Sequence, residues 1–168
     1  NSYFWNNRYY EKSMRKDSKF FPIDANMLAI ASGIADKDKA KRIMAYLKSK
    51  GLDREVPLRN SYPRYPLWRN SPTRLFTLTT GYQNRYGWIW ISCAAILAMN
   101  RTGMKKEAMH CLEALSRKIV EFDGVYEVYS KGKPVKGVFL SSEYPFAWSS
   151  GMLIEVYHQL LKNQNIKK

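Results

Sequence analysis

Five stretches of this 168-residue chain carry apolar residues at helical spacing, and they are of two kinds. In the first kind the apolar residues form one stripe. Asp36 can cap a helix in which Ala40, Ile43, Met44 and Leu47 recur at i, i+3, i+4 and i+7, with Gly51 as its stop. A second such helix follows Thr102, with Ala108, Cys111, Leu112, Leu115, Ile119 and Phe122 on one face and Lys105, Lys106, Glu113 and Arg117 off it. Both should face water on one side. The other three stretches, 23–34, 88–99 and 146–161, are apolar or small around most of their circumference, as expected of helices buried on all sides. The order is inner, outer, inner, outer, inner, with short inner-to-outer links and long outer-to-inner links. That alternation predicts an all-α fold of stacked helical hairpins, with helices near 23–35, 36–50, 83–101, 104–122 and 146–163. The long links, 51–80 and 123–145, should then lie together beside the N-termini of the inner helices.

Length and a 45% hydrophobic content suit a single globular domain over residues 1–168. The apolar run 88–99 is broken by Ser92 and is shorter than the roughly 20 residues that cross a bilayer, and no basic-then-apolar leader opens the chain. The expectation is a soluble protein with no membrane partner. Two cysteines in helical patterns, Cys93 and Cys111, fit buried free thiols better than a disulfide scaffold, which points to the cytoplasm. The net charge of +14 favours anionic partners, but the cations are scattered over solvent faces, as at Lys37, Lys39, Lys41, Arg42, Lys48 and Lys50. No specific nucleic-acid binding is expected, and non-specific binding should be lost at moderate salt. His110 and His158 are too isolated for a metal cluster. No glycine-rich phosphate loop, nucleophile elbow or cysteine pair at metal spacing is present. No metal or other cofactor is expected.

The long links collect the unusual residues. Tyr62, Tyr65, Trp68, Phe76, Tyr82 and Tyr86 come from the first, and Tyr126, Tyr129, Phe139 and Tyr144 from the second, with Glu127 and Glu143 among them. Aromatics can pack a loop onto its domain, and they also suit the apolar faces of sugar rings. Nearby carboxylates would supply acid and base.

The run Tyr126-Glu127-Val128-Tyr129, then Gly132 and Gly137, then Pro145-Phe146-Ala147-Trp148-Ser149-Ser150-Gly151-Met152, resembles the C-terminal signature of the six-hairpin, (α/α)6-toroid glycosidases. Groups of this kind are the mannosyl-oligosaccharide glucosidase and bacterial α-glucosidase family, the trehalases, and the catalytic domains of glycogen-debranching enzymes. Tyr82-Gln83-Asn84-Arg85-Tyr86-Gly87-Trp88-Ile89-Trp90 resembles their "Gly-x-Ile-Trp" helix start. Asp24-Ala25-Asn26-Met27-Leu28-Ala29-Ile30-Ala31-Ser32-Gly33 resembles their "Asp-x-Asn-x-x-Ala-Ile-x-x-Gly" hairpin.

The resemblance implies hydrolysis of a glycosidic bond with inversion, which takes two carboxyls about 6.5–9.5 Å apart, one protonating the leaving oxygen and one activating water. Glu127 matches the general base. Glu143 is the second catalytic candidate, because it lies two residues before Pro145-Phe146, close to the N-terminus of an inner helix where negative charge is favoured; residues 138–144 separate the glycine and Phe-x-Trp motifs more widely than the pattern does, which leaves the base open between the two glutamates. As rival accounts, Glu127 is a solvated loop acid or a partner of Lys131 or Lys133, and Glu143 balances a helix N-terminus. Asp24 and Asn26 would bind sugar hydroxyls, or Asp24 would simply cap its helix. Tyr82, Asn84, Trp88, Tyr129 and Trp148 complete the substrate-binding set. The tryptophans at 88 and 90 also read as core.

A full toroid has twelve helices and this sequence offers five, so the chain reads as a partial toroid, the C-terminal portion of such a catalytic domain. The general acid and the rest of the toroid would come from the same polypeptide or another subunit. The substrate would be an oligosaccharide or other glycoside, and the basic balance suits an anionic sugar. Two other classes compete with the hydrolase. A polyanion-binding helical module requires basic residues converging on one face, and a non-catalytic carbohydrate-binding remnant allows a sugar pocket without paired carboxyls.

Overall fold

The computed structural model describes residues 3–12, 19–69, 71–76 and 79–165; Asn1, Ser2 and the side chains of residues 161–165 lie outside the described set. Five long helices stand along the chain: α1 (Ile23–Ala31), α2 (Lys37–Ser49), α4 (Ile89–Arg101), α5 (Lys105–Glu121) and α6 (Ala147–Asn165), with a short α3 (Pro72–Phe76) between the second and the third. Asp36 caps α2, its carboxylate accepting the Lys39 amide at 2.9 Å and pairing with the Lys39 ammonium. Such caps contribute about 1 kcal/mol. The stripe predicted for α2, Ala40, Ile43, Met44 and Leu47, is the face it buries.

The all-α expectation is overturned. Six short strands form two antiparallel sheets among the described residues, so the protein is mixed α and β and not a partial (α/α)6 toroid. β1 (Phe21–Pro22) pairs with β3 (Ser61–Tyr62), and β2 (Leu58–Arg59), β4 (Gly87–Trp88), β5 (Val128–Ser130) and β6 (Lys133–Pro134) form a four-stranded sheet in the order β2-β4-β5-β6. The physical reason is hydrogen bonding. The long links run over buried parts of the domain, and their backbone groups must find partners there. They find each other: Leu58 opposes Trp88, which opposes Val128, and Arg59 opposes Gly87, which opposes Tyr129. The sheet thus joins both long links across the N-terminal end of α4. The segment before α4 is a turn and a strand, so that helix begins at Ile89 and not near residue 83.

Gly87 is needed at the centre of this sheet, because a Cβ there would lie 2.3 Å from the Pro57 carbonyl oxygen. The β5–β6 turn is made by Lys131 and Gly132, both at positive φ (52° and 76°), the combination that suits the right-handed twist of a hairpin.

The three helices expected to be buried all round differ. α4 is, with every residue from Ile91 to Met99 buried, and it packs against α1, α5 and α6. α1 buries Ile23, Met27 and Ile30 but exposes Leu28. α6 leaves Trp148 61% and Ile154 59% exposed, because it lies against α4 on one side only. Among the described residues no helix is long and apolar enough to cross a membrane.

Candidate functional site

Glu127 enters the four-stranded sheet just before β5. Its amide donates to the Glu143 carbonyl at 3.0 Å, and the next amide, of Val128, donates to Ser142 Oγ at 2.9 Å. Residues 127–128 and 142–143 therefore run side by side, which brings the two glutamates onto neighbouring strands of chain. Their environments differ. Glu127 is 9% exposed, whereas Glu143 faces solvent.

The Tyr82 hydroxyl donates to Glu127 Oε1. Tyr82 engages that oxygen only, which leaves Oε2 for a water or a ligand. The phenol pKa is pushed up to about 12, first by burial, then by the hydrogen bond to Glu127 and by the negative charges of Glu127 and Glu143, with the Arg74 cation opposing. Both carboxylates therefore act on the same hydroxyl. Arg74 is held over this region by donating to Gln83 Oε1 at 2.9 Å.

From Tyr82 an aromatic series leads to the surface. Its ring meets Trp88 edge-on at 4.9 Å between centroids, and the Trp88 indole N–H donates to the Tyr82 carbonyl at 3.1 Å. Trp88 meets Trp90 at 6.3 Å, and Trp90 stacks on the exposed Trp148 at 5.2 Å and 23°. The series has a sequence cause. Trp88 and Trp90 flank the start of α4, and Trp148 sits in the first turn of α6, so the packing of α6 on α4 juxtaposes them. Tyr126 and Tyr144, the chain neighbours of the two glutamates, stack at 4.7 Å.

Of the predicted site residues, Tyr82 contacts both Glu127 and Trp88, Glu143 meets Glu127 through its backbone carbonyl, and Trp148 is linked to Trp88 only through Trp90; the remaining four do not join them. Asn26 is fully buried, and its side chain accepts from the Tyr10 amide and donates to the Tyr10 and Pro22 carbonyls, each at 2.8 Å. Its amide is consumed in holding the N-terminal segment onto α1. Asn84 does the same for Tyr65, accepting from its amide at 2.7 Å and donating to its carbonyl at 3.0 Å. Tyr129 is 1% exposed within the aromatic core, and burial first of all pushes its phenol up to about 12. Asp24 accepts from the Ala25 amide and from Asn60 Nδ2, and its carboxyl is raised by burial in the first turn of α1. No hydrogen bond links it to the Glu127 cluster among the described residues.

No family model matches the chain, and no curated protein matches it. The chemistry must be read from the cluster itself. Among the described residues no group of three or more His, Cys, Asp and Glu side chains is placed to hold a metal ion. What the arrangement offers is a buried carboxylate that accepts from a phenol, an exposed glutamate on the neighbouring segment, and a run of aromatic rings.

Proposed function

We propose that the Glu127 cluster binds an α-glucoside-like oligosaccharide and that Glu127 is the general base of an inverting hydrolysis. The observation that carries this reading is the burial of Glu127 against the Tyr82 hydroxyl at the inner end of the Tyr82–Trp88–Trp90–Trp148 series. The motif resemblance to glucosidases is part of the reading; the toroid is not. Sugar rings rest on the tryptophans, Tyr82 holds the carboxylate, and Oε2 takes a proton from the attacking water as its oxygen bonds to the anomeric carbon. Glu143, exposed and on the neighbouring segment, contributes negative charge. The acid that protonates a sugar leaving group is supplied by residues outside this stretch or by another subunit. The buried free thiols Cys93 and Cys111 support a reducing compartment such as the cytoplasm.

The test uses α-glucosyl fluoride, whose fluoride departs without protonation, so the base alone suffices. The C–F bond breaks, the water oxygen bonds to C1, the water proton passes to Glu127, and β-glucose is the first product. Glu127→Gln, which keeps shape but accepts no proton, should lower fluoride release by roughly 10²–10⁴ with little change in KM. Glu143→Gln should cost far less. Fluoride release at the buffer rate, or equal in Glu127→Gln and the parent chain, would remove the hydrolase reading. An equal loss in Glu143→Gln alone would move the base there.

A further inference from the structure

We propose that a second site, a basic cleft on the other side of the segment that carries Tyr82, binds a phosphomonoester. Arg59 from β2, Arg64 just after β3, Arg85 just before β4, and Ser130 and Lys131 at the end of β5 line a cavity of about 490 Å³, with Tyr62 as an apolar wall. A second cleft of about 320 Å³ adjoins it and shares Arg59, Arg85 and Lys131. The volumes fall in the range of small-ligand sites. The inference is independent of the glycoside reading.

Charge bookkeeping across the cleft points to an anion. Glu55 accepts from Arg59 Nε at 2.7 Å and from Nη2 at 2.6 Å, a two-point pairing that fixes the Arg59 guanidinium in orientation. Among the described residues no carboxylate pairs with Arg64, Arg85 or Lys131, and the Arg85 guanidinium lies 5.9 Å from the Tyr86 ring centre. Three cations left without counter-charge repel one another, and an anion between them removes that repulsion.

Backbone geometry adds a second observation. Lys131 occupies the left-handed region at φ 52°, in a hairpin turn where asparagine, aspartate or glycine is the usual residue. A lysine there is conformationally unfavourable, and its position puts an ammonium at the rim of the cleft. The forked guanidiniums match phosphate oxygens in pairs, and lysine adds a point charge. A phosphate alone would leave much of a 490 Å³ cavity unfilled, so the ester carries an organic group that rests on Tyr62.

Calorimetric titration of the 168-residue chain with glucose 6-phosphate, adenosine monophosphate and inorganic pyrophosphate tests this, with glucose as the neutral control. Saturable binding is expected with Kd below about 1 mM for a phosphomonoester and none for glucose. A preference between the first two probes tells a sugar ester from a nucleotide. Arg85→Ala should weaken binding roughly tenfold, in line with a charge-assisted hydrogen bond. Lys131→Gly should weaken it several-fold while leaving the thermal midpoint equal or higher, because glycine suits the turn; a folding defect would show the opposite. Equal affinity in the parent chain, Arg85→Ala and Lys131→Gly would overturn the site. So would saturable binding of none of the three probes, or retention on heparin without phosphomonoester binding, which would assign the cations to a polyanion surface.

Discussion

Tyr82 and Arg85 stand three residues apart on one turn, yet they serve regions of opposite character. Around Tyr82 a buried carboxylate and a neutral phenol meet under a tryptophan series; around Arg85 guanidiniums converge on an open cleft. Arg85 lines the basic cleft, whereas Tyr82 contacts Glu127 and Trp88. The comparison shows how a net charge of +14 coexists with an acidic site. The cations near the sheet are gathered where solvent screens them, whereas Glu127 is buried against the Tyr82 hydroxyl.

The two regions share one support, and breaking it should produce the largest effect. Gly87 sits in the strand between them, where a methyl group would press on the Pro57 carbonyl at 2.3 Å. Gly87→Ala should cost about 1–3 kcal/mol, roughly 2–10 °C in Tm for a chain of this size. It should also impair fluoride release and phosphomonoester binding together. Loss of one with retention of the other would mean that the sheet does not couple them.

A smaller and one-sided effect is expected at Trp148, which is 61% exposed and stacked on Trp90. A ring contact contributes about 0.5–1.5 kcal/mol beyond area, so Trp148→Ala should weaken maltotriose binding roughly 2–10-fold, read by calorimetry. Glucose 6-phosphate affinity should not change. An unchanged maltotriose affinity would confine the sugar reading to Glu127 and Tyr82.

How much of this was legible in the sequence depended on how local each signal was. The long helices were readable because Ala40, Ile43, Met44 and Leu47 repeat within one element, but the pattern gave three inner helices alike, of which the structure buries α4 all round. The strands were not, since two or three residues such as Leu58–Arg59 are too short for an alternating pattern to appear. That is why the all-α reading failed. Glu127, Tyr82 and Trp148 stood out in the sequence through aromatic-rich motifs, and the structure links Tyr82 to Glu127 and to Trp88. Asn26 and Asn84 misled for a reason of range: their partners are backbone groups of Tyr10 and Tyr65, 16 and 19 residues away, and nothing local marks such a bond. Arg74 gave no signal in its own stretch. The basic cleft was hidden in the same way, because Arg59, Arg64, Arg85 and Lys131 come from separate segments and look scattered until the sheet assembles them. α6 exposes Ile154 because an apolar circumference states what a helix can bury, not what lies beside it.

The smallest expected effect separates the tyrosine of the site from those of the core. Tyr9, Tyr82 and Tyr129 are each pushed up to about 12, against an ordinary value of 10. Their neutral forms are favoured in the folded state, so the stability they contribute is fully present below pH 10 and is lost as pH rises from 10 through about 12. Burial is the leading cause in all three, but only Tyr82 also feels the hydrogen bond and charge of Glu127. In a tyrosinate absorbance titration, Tyr82→Phe should remove one late-titrating hydroxyl. Glu127→Gln should move that same hydroxyl part of the way back toward 10 and leave those of Tyr9 and Tyr129 in place, because removing a negative neighbour eases ionisation of the phenol. If Glu127→Gln left every late-titrating hydroxyl where it was, the phenol would not be sensing that carboxylate, and the acidic region would lose the contact that distinguishes it from the core.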